Sequence, residues 1–158
     1  MAKDTSILVV RLSAIGDLVL VAPITAQLAR EGYSVTVLCK DAYRSVASCL
    51  PGVKAVLSWE KDRSSIKAEV FIFEEVLDLQ GTSKSKRWCG QLNRPIHTYH
   101  KPYLRRALLL MTKQKSFALT PVVQRYAMAA APLFTEGFSP MAAEYRLCLP
   151  EVKLELPQ

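Results

Sequence analysis

Apolar positions along this chain fall into blocks whose spacing switches between strand and helix. Residues 6–12 hold Ile7, Leu8, Val9 and Val10 with no polar interruption, the pattern of a parallel strand covered on both faces. A loop over 13–16 leads into an apolar helical stretch from Asp17 to about Arg30. Pro23 lies inside that stretch and predicts a kink, and Gly32 is placed to cap its end. Asp17 opens the helix, where a carboxylate suits unpaired backbone N–H groups and the positive end of the helix dipole. A second strand follows over 34–40, which makes a right-handed βαβ unit the default.

Farther along, 43–50 reads as a short helix stopped by Pro51 and Gly52, and 53–58 as a third strand. Residues 60–67 are polar and fit a loop or helix start, and 68–75 fit either strand or helix. Residues 76–80 form another strand, ended by Gly81. A basic helix over 83–92, a short strand over 96–99, helices over 103–112 and 122–134, and a last strand over 146–149 complete the pattern. Strand–helix alternation predicts an α/β fold with a Rossmann-like, mostly parallel sheet flanked by helices. Ligands of such sheets meet the loops at the carboxyl ends of the strands. Loops 13–17 and 80–84 are therefore expected at one edge.

Length adds that 158 residues supply one core and not two full domains. Charge adds a direction. The formal net charge is +7, and residues 79–135 contain no Asp or Glu. That stretch carries Lys84, Lys86, Arg87, Arg94, Lys101, Arg105, Arg106, Lys113, Lys115 and Arg125, so attraction for anions belongs to the second half. For any one of these residues, a solvated helix face is the plainer reading. Cys39, Cys49, Cys89 and Cys148 form no CxxC pair, and buried free thiols are expected. No signal peptide is legible, and no run approaches the roughly 20 apolar residues that span a bilayer. The expectation is a cytoplasmic protein, with at most peripheral contact at the inner membrane.

Loop chemistry narrows the field. The first loop has one glycine, so it is neither a dinucleotide fingerprint nor a phosphate-binding P-loop. Gly16 admits a ligand to the backbone, Ser13 stands beside it, and Asp17 is able to accept a proton from a bound hydroxyl or simply to cap the helix. In the second loop Gln80, Thr82 and Ser83 suit sugar hydroxyls, Gly81 ends the strand, and Lys84, Lys86 and Arg87 suit phosphate or carboxylate. Of the adjacent Arg105 and Arg106, only one is expected to face a given ligand. His97 and His100 would not share a strand face, so a metal pair is not expected there.

The order of these segments matters more than any one of them. The turn Arg11-Leu12-Ser13-Ala14-Ile15-Gly16-Asp17 and the strand end Asp78-Leu79-Gln80-Gly81, with the basic position Lys84 after it, resemble the N-terminal half of the ADP-heptose:lipopolysaccharide heptosyltransferases, glycosyltransferase family 9. The likeness extends over almost the whole chain, though the connector between Trp59 and Val76 is short for the pattern. The resemblance implies the N-terminal half of a GT-B fold and transfer of heptose from ADP-heptose to the lipopolysaccharide inner core. It implies inversion at the anomeric carbon, with no cofactor and no required metal. Asp17 would be the general base. Ser13, Gly16, Gln80, Gly81, Lys84, Arg87 and Arg105 would meet the acceptor. The donor would sit mainly in a second domain that 158 residues do not include, so residues 1–158 are expected to be an acceptor-side domain, inactive alone. Three other readings stay open: half of a GT-B enzyme with a different sugar, a basic module for nucleic acid or another anion, and a fragment that self-associates through its domain interface.

Overall fold

A computed structural model describes residues 5–68, 72–100 and 120–138. Five strands form one parallel sheet: β1 (Ser6–Val10), β2 (Ser34–Cys39), β3 (Val53–Ser58), β4 (Glu75–Asp78) and β5 (Ile96–Thr98). Their spatial order is β3-β2-β1-β4-β5. The most apolar strand, β1, therefore lies at the centre, and Val9 is in register with Val37 on one side and Leu77 on the other. This is the Rossmann-like, parallel α/β sheet flanked by helices that the strand–helix alternation predicts.

Each sheet face has its own apolar layer. Ile7, Val9, Val37 and Leu77 pack with helices α1 (Ile15–Val19), α2 (Ala22–Arg30) and α6 (Val122–Ala130) through Leu18, Val21, Ile24, Leu28 and Tyr126. Leu8, Val10, Leu38 and Val76 face the other way, toward α4 (Arg63–Lys67) and α5 (Ser83–Cys89), through Ile66, Trp88 and Cys89. Alternate residues of β1 thus feed opposite cores, as the strand period requires. The remaining helix, α3 (Arg44–Ser48), follows a 3-10 turn, Asp41–Tyr43, and leans on β3.

One expectation needs correction. The helix predicted from Asp17 to Arg30 is two helices, broken at Leu20 and Val21. Pro23 occupies the first turn of α2. There its missing N–H costs nothing, so it starts a helix instead of kinking one. Asp17 is consequently the third residue of α1, whose N-cap is Ala14 with no side-chain cap bond. Gly32 does end α2 as expected, with φ +88°. The polar stretch before β4 contains α4, and β4 itself begins at Glu75. The predicted helix over 103–112 and strand over 146–149 lie outside the described residues. No helix among the described residues is long and apolar enough to cross a membrane.

Candidate functional site

Strands β1 and β4 end side by side, and Gln80 ties their loops together. Its Oε1 accepts from the backbone N–H groups of Leu12 (3.0 Å) and Ser13 (3.2 Å), and its Nε2 donates to Ser13 Oγ (3.4 Å). Gln80 is buried. The amide read as a partner for sugar hydroxyls is thus bonded to the first loop, whose shape it fixes.

Beneath that loop lies Arg11, only 4% exposed. Its Nη1 donates to the Leu79 carbonyl (2.7 Å), its Nη2 donates to Asp17 Oδ2, and its guanidinium stands 5.7 Å from the centre of the Tyr126 ring. A buried cation needs an anion, and Asp17 supplies it. The helix-cap role weighed for Asp17 is therefore replaced by an ion pair. Nothing in the motif that contains Arg11 assigns it a task from sequence alone. Its signal was a cation closing an otherwise apolar central strand, six residues before a carboxylate.

Asp17 is not used up by this pair. Its side chain is 42% exposed, and Oδ1 takes no hydrogen bond among the described residues. Gly16 beside it is exposed, and a Cβ built there would meet nothing within 4 Å. The fold does not need glycine at 16, so the space beside Asp17 is open. Gly81 is the opposite case. Its φ is +59°, and a Cβ would lie 2.4 Å from the Tyr99 carbonyl oxygen, so the backbone just past β5 runs too close for any side chain.

Asp78 closes the floor. It is wholly buried. Its Oδ1 accepts from the N–H groups of Gln80 (3.0 Å) and Gly81 (3.1 Å), and its Oδ2 accepts from Ser85 Oγ (2.9 Å). Burial pushes its carboxyl above the usual range, against the pull of those donors. Thr82, expected to meet sugar hydroxyls, instead forms a reciprocal capping box with Ser85 at the start of α5. The wall behind Arg11 is aromatic. Tyr99 and Tyr126 meet edge to face at 5.1 Å, and Arg125 Nη1 donates to the Tyr99 hydroxyl (2.8 Å). Burial raises the Tyr126 hydroxyl to about 12, so it stays protonated.

Lys84 and Arg87 are not in this cluster. They line a groove with Arg63, Trp59 and Trp88 beside α4 and α5, on the sheet face opposite α1. Arg105 lies outside the described residues. His97 Nε2 meets Glu75 Oε2 at 3.0 Å, and His100 takes no part in that contact. Cys39 and Cys89 are buried free thiols raised by that burial to about 11 and about 12, and Cys49 is half-buried.

No family model and no curated protein matches the sequence. Solved structures do match the fold. The chain is similar to Escherichia coli heptosyltransferase WaaC with ADP-2-deoxy-2-fluoro heptose, at a TM-score of 0.61 and 18% identity, over 92% of this chain and 52% of that one. It is similar to E. coli ADP-heptose lps heptosyltransferase II, at 0.59 and 21%, over 80% of this chain and 40% of that one. A glycosyl transferase family 9 structure from Veillonella parvula matches at 0.59 and 14%, over 84% of this chain and 42% of that one. The chain spans about half the length of the first of these structures or less of the others. It has a glycosyltransferase-like fold.

Proposed function

We propose that this chain is the acceptor-side half of an inverting glycosyltransferase of the heptosyltransferase kind, and that Asp17 is its general base. One observation carries the reading. On a glycosyltransferase-like fold, Asp17 presents a partly exposed carboxylate at the carboxyl edge of the central strand, beside the open space at Gly16; Arg11 fixes its Oδ2, and its Oδ1 takes no hydrogen bond among the described residues.

The chemistry follows from that arrangement. An inverting transfer needs a base behind the attacking hydroxyl. The ion pair holds the Asp17 carboxylate in one orientation. A hydroxyl becomes acidic as its oxygen bonds to the anomeric carbon, so proton transfer to a carboxylate suits the late part of that step. Ser13 and Gly16 border the position the hydroxyl would take, and Gln80 acts through them by setting the loop. The leaving diphosphate needs cationic or dipolar compensation of its own. That is assigned to a partner half, with ADP-heptose as the donor and the lipopolysaccharide inner core as the acceptor.

Calorimetric titration tests the reading. An inner-core oligosaccharide should bind this chain, and ADP-heptose should bind it far more weakly. Mixing both should give no heptose transfer. Preference for ADP-heptose over the oligosaccharide would overturn the acceptor-side assignment. Binding of oligonucleotides, with none of the core sugar, would overturn the enzyme class.

A further inference from the structure

Hydrogen bonds hold Arg11 at one end only. Its two Nη atoms donate to the Leu79 carbonyl (2.7 Å) and to Asp17 Oδ2, while Nε, though buried, has no hydrogen-bond partner among the described residues. Two bonds from the two Nη atoms fix a line, and a planar guanidinium is still free to tilt about it. A tilt turns both N–H directions off their acceptors, and hydrogen bonds weaken steeply as they bend. The Asp17 carboxylate is partly exposed and takes no other hydrogen bond among the described residues, so its direction follows that of Arg11.

Against that tilt stands Tyr126. The Arg11 guanidinium lies over its ring, 5.7 Å from the centre, within reach of a cation–π contact. The ring is itself held. Tyr126 is buried, and Tyr99 meets it edge to face at 5.1 Å. Tyr99 carries the Arg125 guanidinium 5.6 Å from its own ring centre, and its hydroxyl accepts from Arg125 Nη1 (2.8 Å). The run Arg125, Tyr99, Tyr126, Arg11, Asp17 thus joins α6, the chain just past β5, the chain just past β1, and α1. Tyr126 is its middle member. The Tyr126 hydroxyl makes no hydrogen bond among the described residues, so the ring does the holding.

We infer that Tyr126 is a positioning residue for Asp17: its ring backs the Arg11 guanidinium, keeps that plane from tilting, and through it fixes the direction in which the Asp17 carboxylate faces a sugar hydroxyl. The part that concerns a sugar rests on the reading of Asp17 as a base; the hold on Arg11 does not. Helix α6 thereby shapes the site without Tyr126 touching the substrate.

NMR of the arginine side-chain N–H groups in the whole protein reads this hold directly, with Arg11 assigned through Arg11→Lys. Fixed Nη atoms give separate, slowly exchanging signals, and a tilting guanidinium merges them. Tyr126→Leu should merge the Arg11 signals and weaken binding of the inner-core oligosaccharide by about tenfold, the equivalent of one contact. Tyr126→Phe should restore both, because it returns the ring without the hydroxyl. A side chain that only filled the core would lower stability in Tyr126→Leu and leave the Arg11 signals separate. Met128→Ala, on the exposed side of the same helix, should change neither measurement. Should Tyr126→Leu fail to fold, Tyr126→Met, unbranched and without a ring, takes its place. Tyr126→Phe keeps the native shape in any case, and merged Arg11 signals in it would move the hold to the hydroxyl and overturn the inference. So would separate Arg11 signals in a folded variant without the ring. Absence of oligosaccharide binding by the parent, with the Arg11 signals behaving as expected, overturns the acceptor reading instead and leaves the hold on Arg11 standing.

Discussion

Arg11 and Asp17 form an ion pair in which the cation is buried and the anion is half exposed. The two residues therefore carry unequal risk. Removing the carboxylate strands a guanidinium inside the protein, whereas removing the guanidinium leaves a carboxylate that water still reaches. Asp17→Ala should destabilise the fold by about 1–2 kcal/mol, below the loss seen for fully buried pairs because Asp17 is partly solvated. Asp17→Asn keeps an oxygen for Arg11 and should cost less than Ala. Urea unfolding of the three proteins measures the order. If Ala and Asn unfold together with the parent, Arg11 does not depend on Asp17 for its burial.

Asp78 predicts an unusual response to pH. Burial raises its carboxyl in the folded state, so between the unfolded and folded values the folded state binds more protons. The stability it contributes is fully present below the unfolded value and is lost as pH rises through the folded one. Asp78→Asn keeps an oxygen for the Gln80 and Gly81 N–H groups, and its amide is able to donate to Ser85 Oγ. That variant should match or exceed the parent in stability at neutral pH and lose this part of the pH dependence. Asp78→Ala leaves the Gly81 N–H without an acceptor, while the Gln80 N–H and Ser85 Oγ keep the Val10 and Thr82 carbonyls, and should cost about 1–3 kcal/mol. Unfolding midpoints between mild acid and neutral pH distinguish the cases; a parent-like slope in Asp78→Asn would remove Asp78 as its source.

Much of this frame was legible beforehand because it depends on local pattern. The apolar run at Ile7–Val10, the strand at β3 and the Asp78–Gly81 strand end each follow from residue order alone, and parallel pairing of β1 with β4 places the two loops together. What escaped the sequence depends on partners far apart in the chain. Pro23 is the exception, since the break just before it at Leu20 is local and no residue type there marks it. Gln80 looked like a ligand donor because its true partners, Leu12 and Ser13, are distant in sequence. Lys84 and Asp17 were grouped by motif, although the sheet separates the helices that carry them.

The two loop glycines should behave oppositely. Gly81→Ala sets a Cβ against the Tyr99 carbonyl at a φ that disfavours side chains, and should destabilise by about 3 kcal/mol or more. Gly16→Ala meets open space inside α1 and should leave stability unchanged or raise it by up to about 1 kcal/mol through helix propensity. Thermal unfolding tests both. Acceptor binding should fall in the more stable Gly16→Ala protein, because the methyl group fills the space beside Asp17. Undiminished binding would place the acceptor elsewhere.

Gln80 separates a positioning role from direct contact. Its Oε1 serves two backbone donors at once, so Gln80→Ala leaves the Leu12 and Ser13 N–H groups without it and should cost about 1–3 kcal/mol. Gln80→Glu keeps an acceptor for both N–H groups but loses the donor to Ser13 Oγ. If Gln80 acts only by shaping the loop, Glu should restore most of the acceptor affinity that Ala loses, and stability and affinity should recover together. If Gln80 touches the sugar through its amide N–H, Glu should restore stability while affinity stays low. Calorimetry and urea unfolding on the same two variants decide between these roles, and the burial of Gln80 beneath the first loop predicts the first.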